Sequence, residues 1–136
     1  MLIRNILEES VRKFDEVKAV KWLKKKEIME RSYGELMENV VSTRKGLLAE
    51  GFEGKHIALI GTSSVEWMES YLGIITGCIT AVPLDAALPC EDLIDLLNRS
   101  DSAALFLSPK LKPYLDAFLE NCPKLQKVWM LQEEVE

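Results

Sequence analysis

Histidine is almost missing from this chain: His56 is the single one among 136 residues. Cysteine is scarce and odd in number, with Cys78, Cys90 and Cys122 far apart and no CxxC pair. A disulfide framework needs paired cysteines, and a structural metal site needs clustered nitrogen or sulfur donors, so neither is expected. Basic charge is also short. Seventeen Lys and Arg face 22 Asp and Glu, a net charge of −5, which speaks against a nucleic-acid partner, because neutralising phosphates requires a basic face. No apolar run is long enough to span a bilayer, and no charged-then-apolar opening suggests a secretory signal. A cytoplasmic setting is the resulting expectation. Repeats, low-complexity segments and Gly/Ser-rich linkers are absent, and so are GxGxxG and GxxxxGK[ST], the backbone cradles that grip nucleotide phosphates.

What is present is apolar residue in quantity, 48% of the chain, enough for one well-buried core. Ile3, Ile6, Leu7, Val11 and Phe14 recur at helical spacing. Lys18–Leu23 and Glu27–Arg31 read as a hairpin, with Lys24-Lys25-Lys26 as its solvated turn. Ser32 and Glu35 have capping-box spacing, each side chain satisfying an orphan backbone N–H where a helix begins. Leu36, Val40, Thr43 and Leu47 form one face of that helix, with Met37, Val41 and Leu48 beside them, and Gly51 ends it.

Beyond Gly51 the pattern changes. Ile57–Ile60, Ile79–Leu84, Ala103–Leu107 and Val128–Leu131 are nearly continuous apolar runs, as parallel strands between helix layers are. Three helical patterns separate them. Their apolar faces are Val65, Met68, Leu72 and Ile75; Leu93, Ile94, Leu96 and Leu97; and Leu111, Leu115, Phe118 and Leu119. Ser108-Pro109 suits the start of the third. Alternating strands and helices predict an α/β fold: three αβα layers around a mainly parallel sheet, after an N-terminal helix and a β-hairpin. Residues 1–136 read as a single domain, with 1–31 as helix plus hairpin and 32–136 as alternating α/β.

Several residues invite a chemical role. The turn Gly61-Thr62-Ser63-Ser64 joins a strand to a helix, where free N–H groups receive anions. Ser63 and Glu66 have capping-box spacing, so a capping role is the preferred reading. Asp85 lies at a strand end, where open α/β sheets place ligands. A phosphoacceptor there needs further acids after the first strand to hold Mg²⁺, and that place reads Gly61-Thr62-Ser63; Asp85 is assigned to the turn Asp85-Ala86-Ala87-Leu88-Pro89. Asp92 with Asp95, and Glu8 with Arg12, share helix faces but carry no cleft in the sequence. His56 reads as a strand-end residue without a nucleophile motif. Gly73 and Gly77, four apart, suit close helix–sheet packing.

In order, these segments resemble the N-terminal part of the acyl-adenylate-forming superfamily, the acyl-CoA synthetases and AMP-dependent ligases. Ser32-Tyr33-Gly34-Glu35-Leu36 is similar to that family's Thr/Ser-Tyr-x-Glu-Leu element after a hairpin. A strand, the helix opening Ser64-Val65-Glu66-Trp67, then Gly77 with Val82-Pro83-Leu84, and a helix ending near Asn98 and Ser100 follow in the family's order. Ala86-Ala87 and Ser102-Ala103 depart from it without touching chemistry. The resemblance implies ATP-dependent activation of a carboxylate as an acyl-adenylate with Mg²⁺, then transfer to a thiol such as coenzyme A. It also implies that the Ser/Thr/Gly-rich phosphate loop, the aromatic-Gly-Glu element, the ribose-binding aspartate and the C-terminal-domain lysine lie downstream of Gln132-Glu133-Glu134. No catalytic, cofactor-binding or metal-binding residue is therefore assigned to this chain. ATP, Mg²⁺ and coenzyme A belong to the longer enzyme, and none is expected bound by these residues alone.

The expected substrate is a fatty or other apolar carboxylic acid, with an amino-acid-activating adenylation domain as the rival within the family. Outside it stand two alternatives: a flavodoxin-like module holding FMN, ATP or AMP near Thr62–Ser64 and Asp85, and an interaction domain that forms a homodimer through uncovered apolar area. The expected partner in the first reading is the downstream remainder of the ligase chain.

Overall fold

A computed structural model of the chain describes residues 2–132. Helix α1 (Ile3–Phe14) leads into β1 (Lys18–Lys24) and β2 (Glu27–Ser32), which pair antiparallel. Lys25 and Lys26 both have positive φ, 48° and 69°, the left-handed pair that a two-residue hairpin loop requires. Helix α2 (Tyr33–Ala49) follows directly. Its capping box is formed: Ser32 Oγ accepts from the Glu35 N–H at 3.1 Å, and Glu35 Oε1 accepts from the Ser32 N–H at 3.2 Å. Those bonds to Ser32, backbone first, hold the Glu35 carboxyl below its usual range. A carboxyl so depressed supports the folded state above its unfolded pKa, and that support is lost as pH falls through the lower folded value. Gly51, at φ +82°, accepts the left-handed conformation that stops the helix.

The remainder alternates: β3 (His56–Ile60), α3 (Val65–Ile75), β4 (Thr80–Leu84), α4 (Cys90–Arg99), β5 (Ser102–Leu107), a 3₁₀ turn (Pro109–Tyr114), α5 (Leu115–Asn121) and β6 (Lys127–Met130). The four strands form one parallel sheet in the order β4-β3-β5-β6. The expected α/β architecture, with its N-terminal helix and hairpin, is the one observed.

Side chains alternate across the two central strands. Ile57, Leu59 and Ala104 join Leu47, Phe52 and Ile74 on the side of α2 and α3. Ala58, Ile60, Leu105 and Leu107 join Leu93, Leu97 and Phe118 on the side of α4 and α5. Each large aliphatic side chain removed from water here contributes about 1.5–3 kcal/mol. Burial on both faces holds for β3 and β5 but not for all four runs: β4 and β6 are edge strands and keep half-buried or exposed positions. An apolar run alone does not separate a central from an edge strand.

Three further expectations are corrected. The buried stripe of α3 is Val65, Glu69, Ser70, Gly73 and Ile74, while Met68, Leu72 and Ile75 are half-buried. The helix is gripped between the sheet and α2, so its inner side includes small and charged residues that hydrophobic periodicity overlooks. Gly73 packs against a helix, not the sheet: a Cβ there would stand 2.7 Å from Thr43 Cβ on α2. The third helical pattern opens as a 3₁₀ turn whose cap, Ser108, accepts from the Lys110 N–H, and Leu119 points outward, 52% exposed.

Gly73→Ala is expected to lower stability by about 1–3 kcal/mol, because extra volume in a closed contact forces a shift. Gly46→Ala, in α2 and with nothing within 4 Å of the added Cβ, is expected to raise it by about 0.5–1 kcal/mol. Thermal or urea unfolding of the two variants checks the contrast.

Candidate functional site

The strand order sets the first place to look. Reading the parallel strands in chain order, the first and third lie side by side, and doubly wound sheets of this kind bind ligands beyond the carboxyl ends at that switch point. Here it falls between β3 and β5, at Gly61 and Ser108. The crevice is filled by the chain itself. The Ser108 N–H donates to the Ile60 carbonyl at 2.8 Å, and the Leu131 N–H donates to the Leu107 carbonyl at 2.9 Å. A Cβ on Gly61 would meet Leu131 Cδ1 at 3.0 Å, Ser108 Cβ at 3.4 Å and Trp67 Cδ1 at 3.5 Å. Glycine is needed because strand end, indole and Leu131 converge there.

The polar turn is a helix cap, as preferred, but the capping serine differs. Ser64, not Ser63, accepts from the Trp67 N–H at 3.1 Å. The Ser63–Glu66 spacing is displaced by one residue because Ser64 is the last extended residue, at φ −142° and ψ 167°. Thr62 and Ser63 remain exposed.

The other singled-out residues stay apart. Asp85 Oδ1 accepts from the Ala87 N–H at 2.9 Å, and the Asp85 carbonyl from the Leu88 N–H, an Asx-type turn. His56 opens β3 and donates through Nδ1 to the Ser100 carbonyl at 2.7 Å. Asp95 pairs with Arg99 at 3.0 Å. Glu8 pairs with Arg4, while Arg12 lies 4.0 Å from Glu9, so the Glu8–Arg12 face carries no pair of its own. Lys124 binds Asp101 and holds its carboxyl below the usual range, first through the hydrogen bond. All three cysteines are free. Burial, with a smaller push from Cys90, raises the Cys122 thiol. Among the described residues no group of three or more His, Cys, Asp and Glu is placed to hold a metal ion, and no helix is long and apolar enough to cross a membrane.

One polar assembly was not visible in the sequence. Arg31, at the end of the hairpin, binds Glu69 on α3. Glu69 is only 5% exposed, and its second oxygen, Oε2, is buried without a hydrogen-bond partner. Both residues line a cavity of about 620 Å³ between α2, α3 and strands β5 and β6. No motif marks it, since the two residues are 38 apart. The hint available was a glutamate at the interior spacing of α3.

This fold is a doubly wound α/β layer in which Leu131, Ser108 and Trp67 crowd the switch point at Gly61. Residues 7–135 match the family of AMP-binding enzymes, and the chain belongs to that family. Over 105 residues it is 27% identical to long chain acyl-CoA synthetase 8 of Arabidopsis thaliana, a match covering 76% of this chain and 15% of that protein. Two solved structures share the fold. The anthranilate CoA ligase AuaEII, in complex with anthranoyl-AMP, superposes with a TM-score of 0.85 at 18% identity, over 96% of this chain and 25% of that one. The N-terminal domain of FACL13 from Mycobacterium tuberculosis gives 0.86 at 18% identity, over 96% and 34%. The chain thus spans well under half the length of each.

Ser64→Ala is expected to cost about 0.5–2 kcal/mol of stability and Ser63→Ala close to nothing, measured by unfolding. In native protein at neutral pH, iodoacetamide is expected to label exposed Cys78 first and Cys122 last, the buried thiol being least ionised.

Proposed function

We propose that residues 1–136 form the N-terminal part of the large domain of an AMP-forming acid–thiol ligase, folding as one unit and acting as scaffold. The observation that carries this reading is the family match over residues 7–135, on a fold whose switch-point crevice is closed by Leu131 and Trp67. The parent reaction joins a carboxylic acid to ATP, giving an acyl-adenylate and pyrophosphate, and then a thiol displaces AMP to leave a thioester. A fatty or other apolar acid with coenzyme A is the preferred substrate pair, supported by the similarity to a long chain acyl-CoA synthetase; a cytoplasmic setting goes with it.

The residues described here do not fit a nucleotide or Mg²⁺. The crevice where the fold would present one is packed with side chains, and Asp85 spends its carboxylate on its own turn. No catalytic step is therefore assigned to this chain. Its contribution is positional: β3 and β5 fix the base on which downstream elements would stand. The same packing weighs against a flavodoxin-like module with FMN, ATP or AMP at Thr62–Ser64.

Carboxylate-dependent ATP–pyrophosphate exchange is expected from the parent chain, with thioester formed on adding coenzyme A, and no exchange from residues 1–136 alone. A parent chain that adenylates no carboxylic acid would overturn the ligase reading. Exchange by the short chain would overturn the scaffold reading.

A further inference from the structure

The β1–β2 hairpin turns an aliphatic pair to solvent. Leu23 and Ile28 are 73% and 69% exposed. They stand directly opposite each other across the two strands, so both project from one face. The other face carries Trp22 and Met29, which are half-buried. Beyond the pair the strands close through Lys24, Lys25, Lys26 and Glu27, three cations against one acid in a chain whose net charge is −5. Lys25 and Lys26 hold the left-handed backbone, where Asn-Gly is the ordinary and less strained choice. Strain kept at a turn points to a use for the side chains that impose it.

The other exposed large apolar side chains among the described residues lack this basic surplus. Leu2, Ile3 and Ile6 border Arg4, which Glu8 binds. Phe14 and Val17 flank Asp15-Glu16, and Leu119 adjoins Glu120. Leu48 lies near Glu50, itself bound to Lys127. The shape of the hairpin end selects the occupant. A two-residue turn is convex and presents two apolar side chains, far short of the about 20–30 residues a side in a stable protein interface. A plane of lipid needs no groove. Short apolar side chains enter the acyl boundary, while lysines lay their stems along it and reach anionic headgroups. An exposed lysine changes ion-pair partner at little cost. Stable surface binding takes two such signals together, and the hairpin end holds both.

We propose that the β1–β2 turn is a contact for an anionic membrane surface, which inserts Leu23 and Ile28 at the headgroup boundary and sets Lys24, Lys25 and Lys26 against the charged groups of anionic phospholipid. This contact stands on the hairpin's own geometry and is independent of the ligase reading. The test is sedimentation of the chain at low salt with vesicles of phosphatidylcholine alone, or of equal parts phosphatidylcholine and phosphatidylserine. Binding to the mixed vesicles is expected, weakening as salt rises, with little to phosphatidylcholine alone. Spin-labelled lipid in the mixed vesicles is expected to broaden the methyl signals of Leu23 and Ile28 and to spare those of Leu48 and Leu119.

Leu23→Thr with Ile28→Thr is expected to weaken binding about tenfold or more. Lys24→Gln, Lys25→Gln and Lys26→Gln together are expected to weaken it about a hundredfold, each lysine being worth about fivefold. Circular dichroism checks that the variants fold; if one does not, the methyl broadening in the unaltered chain decides. No binding to the mixed vesicles, unbroadened Leu23 and Ile28 methyls, or equal binding by folded variants overturns the contact. Equal binding to phosphatidylcholine alone overturns anionic lipid as its occupant. A concentration-dependent dimer abolished by Leu23→Thr with Ile28→Thr also overturns that occupant, giving the turn to a second copy.

Discussion

Two strands with no face toward water set the rest of this structure. Ile57, Ala58, Leu59 and Ile60 on β3, and Ala104, Leu105 and Leu107 on β5, have no measurable exposure. Strands of that kind are stable only when helices close both sides, because a single uncovered face would return half of those side chains to solvent. The crossover helices follow from this need: α2 and α3 close one side, α4 and α5 the other. The hairpin and α1 are attached more loosely. No residue of α1 is buried, and Arg31 ties the hairpin to the body by reaching Glu69.

The way α3 is held explains why its inner side is compositionally odd. Approaching α2 as closely as it does requires Gly73, since any side chain there would collide with Thr43. Reaching the hairpin requires an acid facing inward, and Glu69 provides it. The cost of burying that charge is offset only in part, since Arg31 meets one oxygen and not the other. The helix therefore joins three parts of the molecule through three kinds of contact: aliphatic toward the sheet, steric toward α2, ionic toward the hairpin.

Much of the architecture was legible in the residues. Continuous aliphatic runs marked the four parallel strands, Ser32 with Glu35 marked the start of α2, and Gly51 marked its end. These signals are local, and local physics produces them. The misread features depend on tertiary neighbours. Met68, Leu72 and Ile75 form the more regular apolar stripe, yet contact with α2 turned Glu69, Ser70 and Gly73 inward. Ser63 and Ser64 are equivalent caps on paper, and only the backbone direction out of β3 chooses between them. The expectation that the Gly61–Ser64 turn is a junction agrees with its geometry; its closure by Leu131 depends on β6, some 70 residues later in sequence, and had no local trace. The Glu69 cavity was invisible for the same reason, because hairpin and helix meet only after folding.

The three tryptophans fall one to each part of the molecule. Trp22 lies in the hairpin beneath the Arg31 guanidinium, 5.4 Å from ring centre to Cζ. Trp67 stacks on Tyr71 along α3 at 5.3 Å. Trp129 is set on β6 between Phe52 and Phe106. Each indole has a different electrostatic and aromatic environment, so each emits and quenches in its own way. With two of the three replaced by phenylalanine in turn, the fluorescence of the survivor tells separately when hairpin, crossover helix and sheet edge come apart, giving the protein an optical clock for its own disassembly.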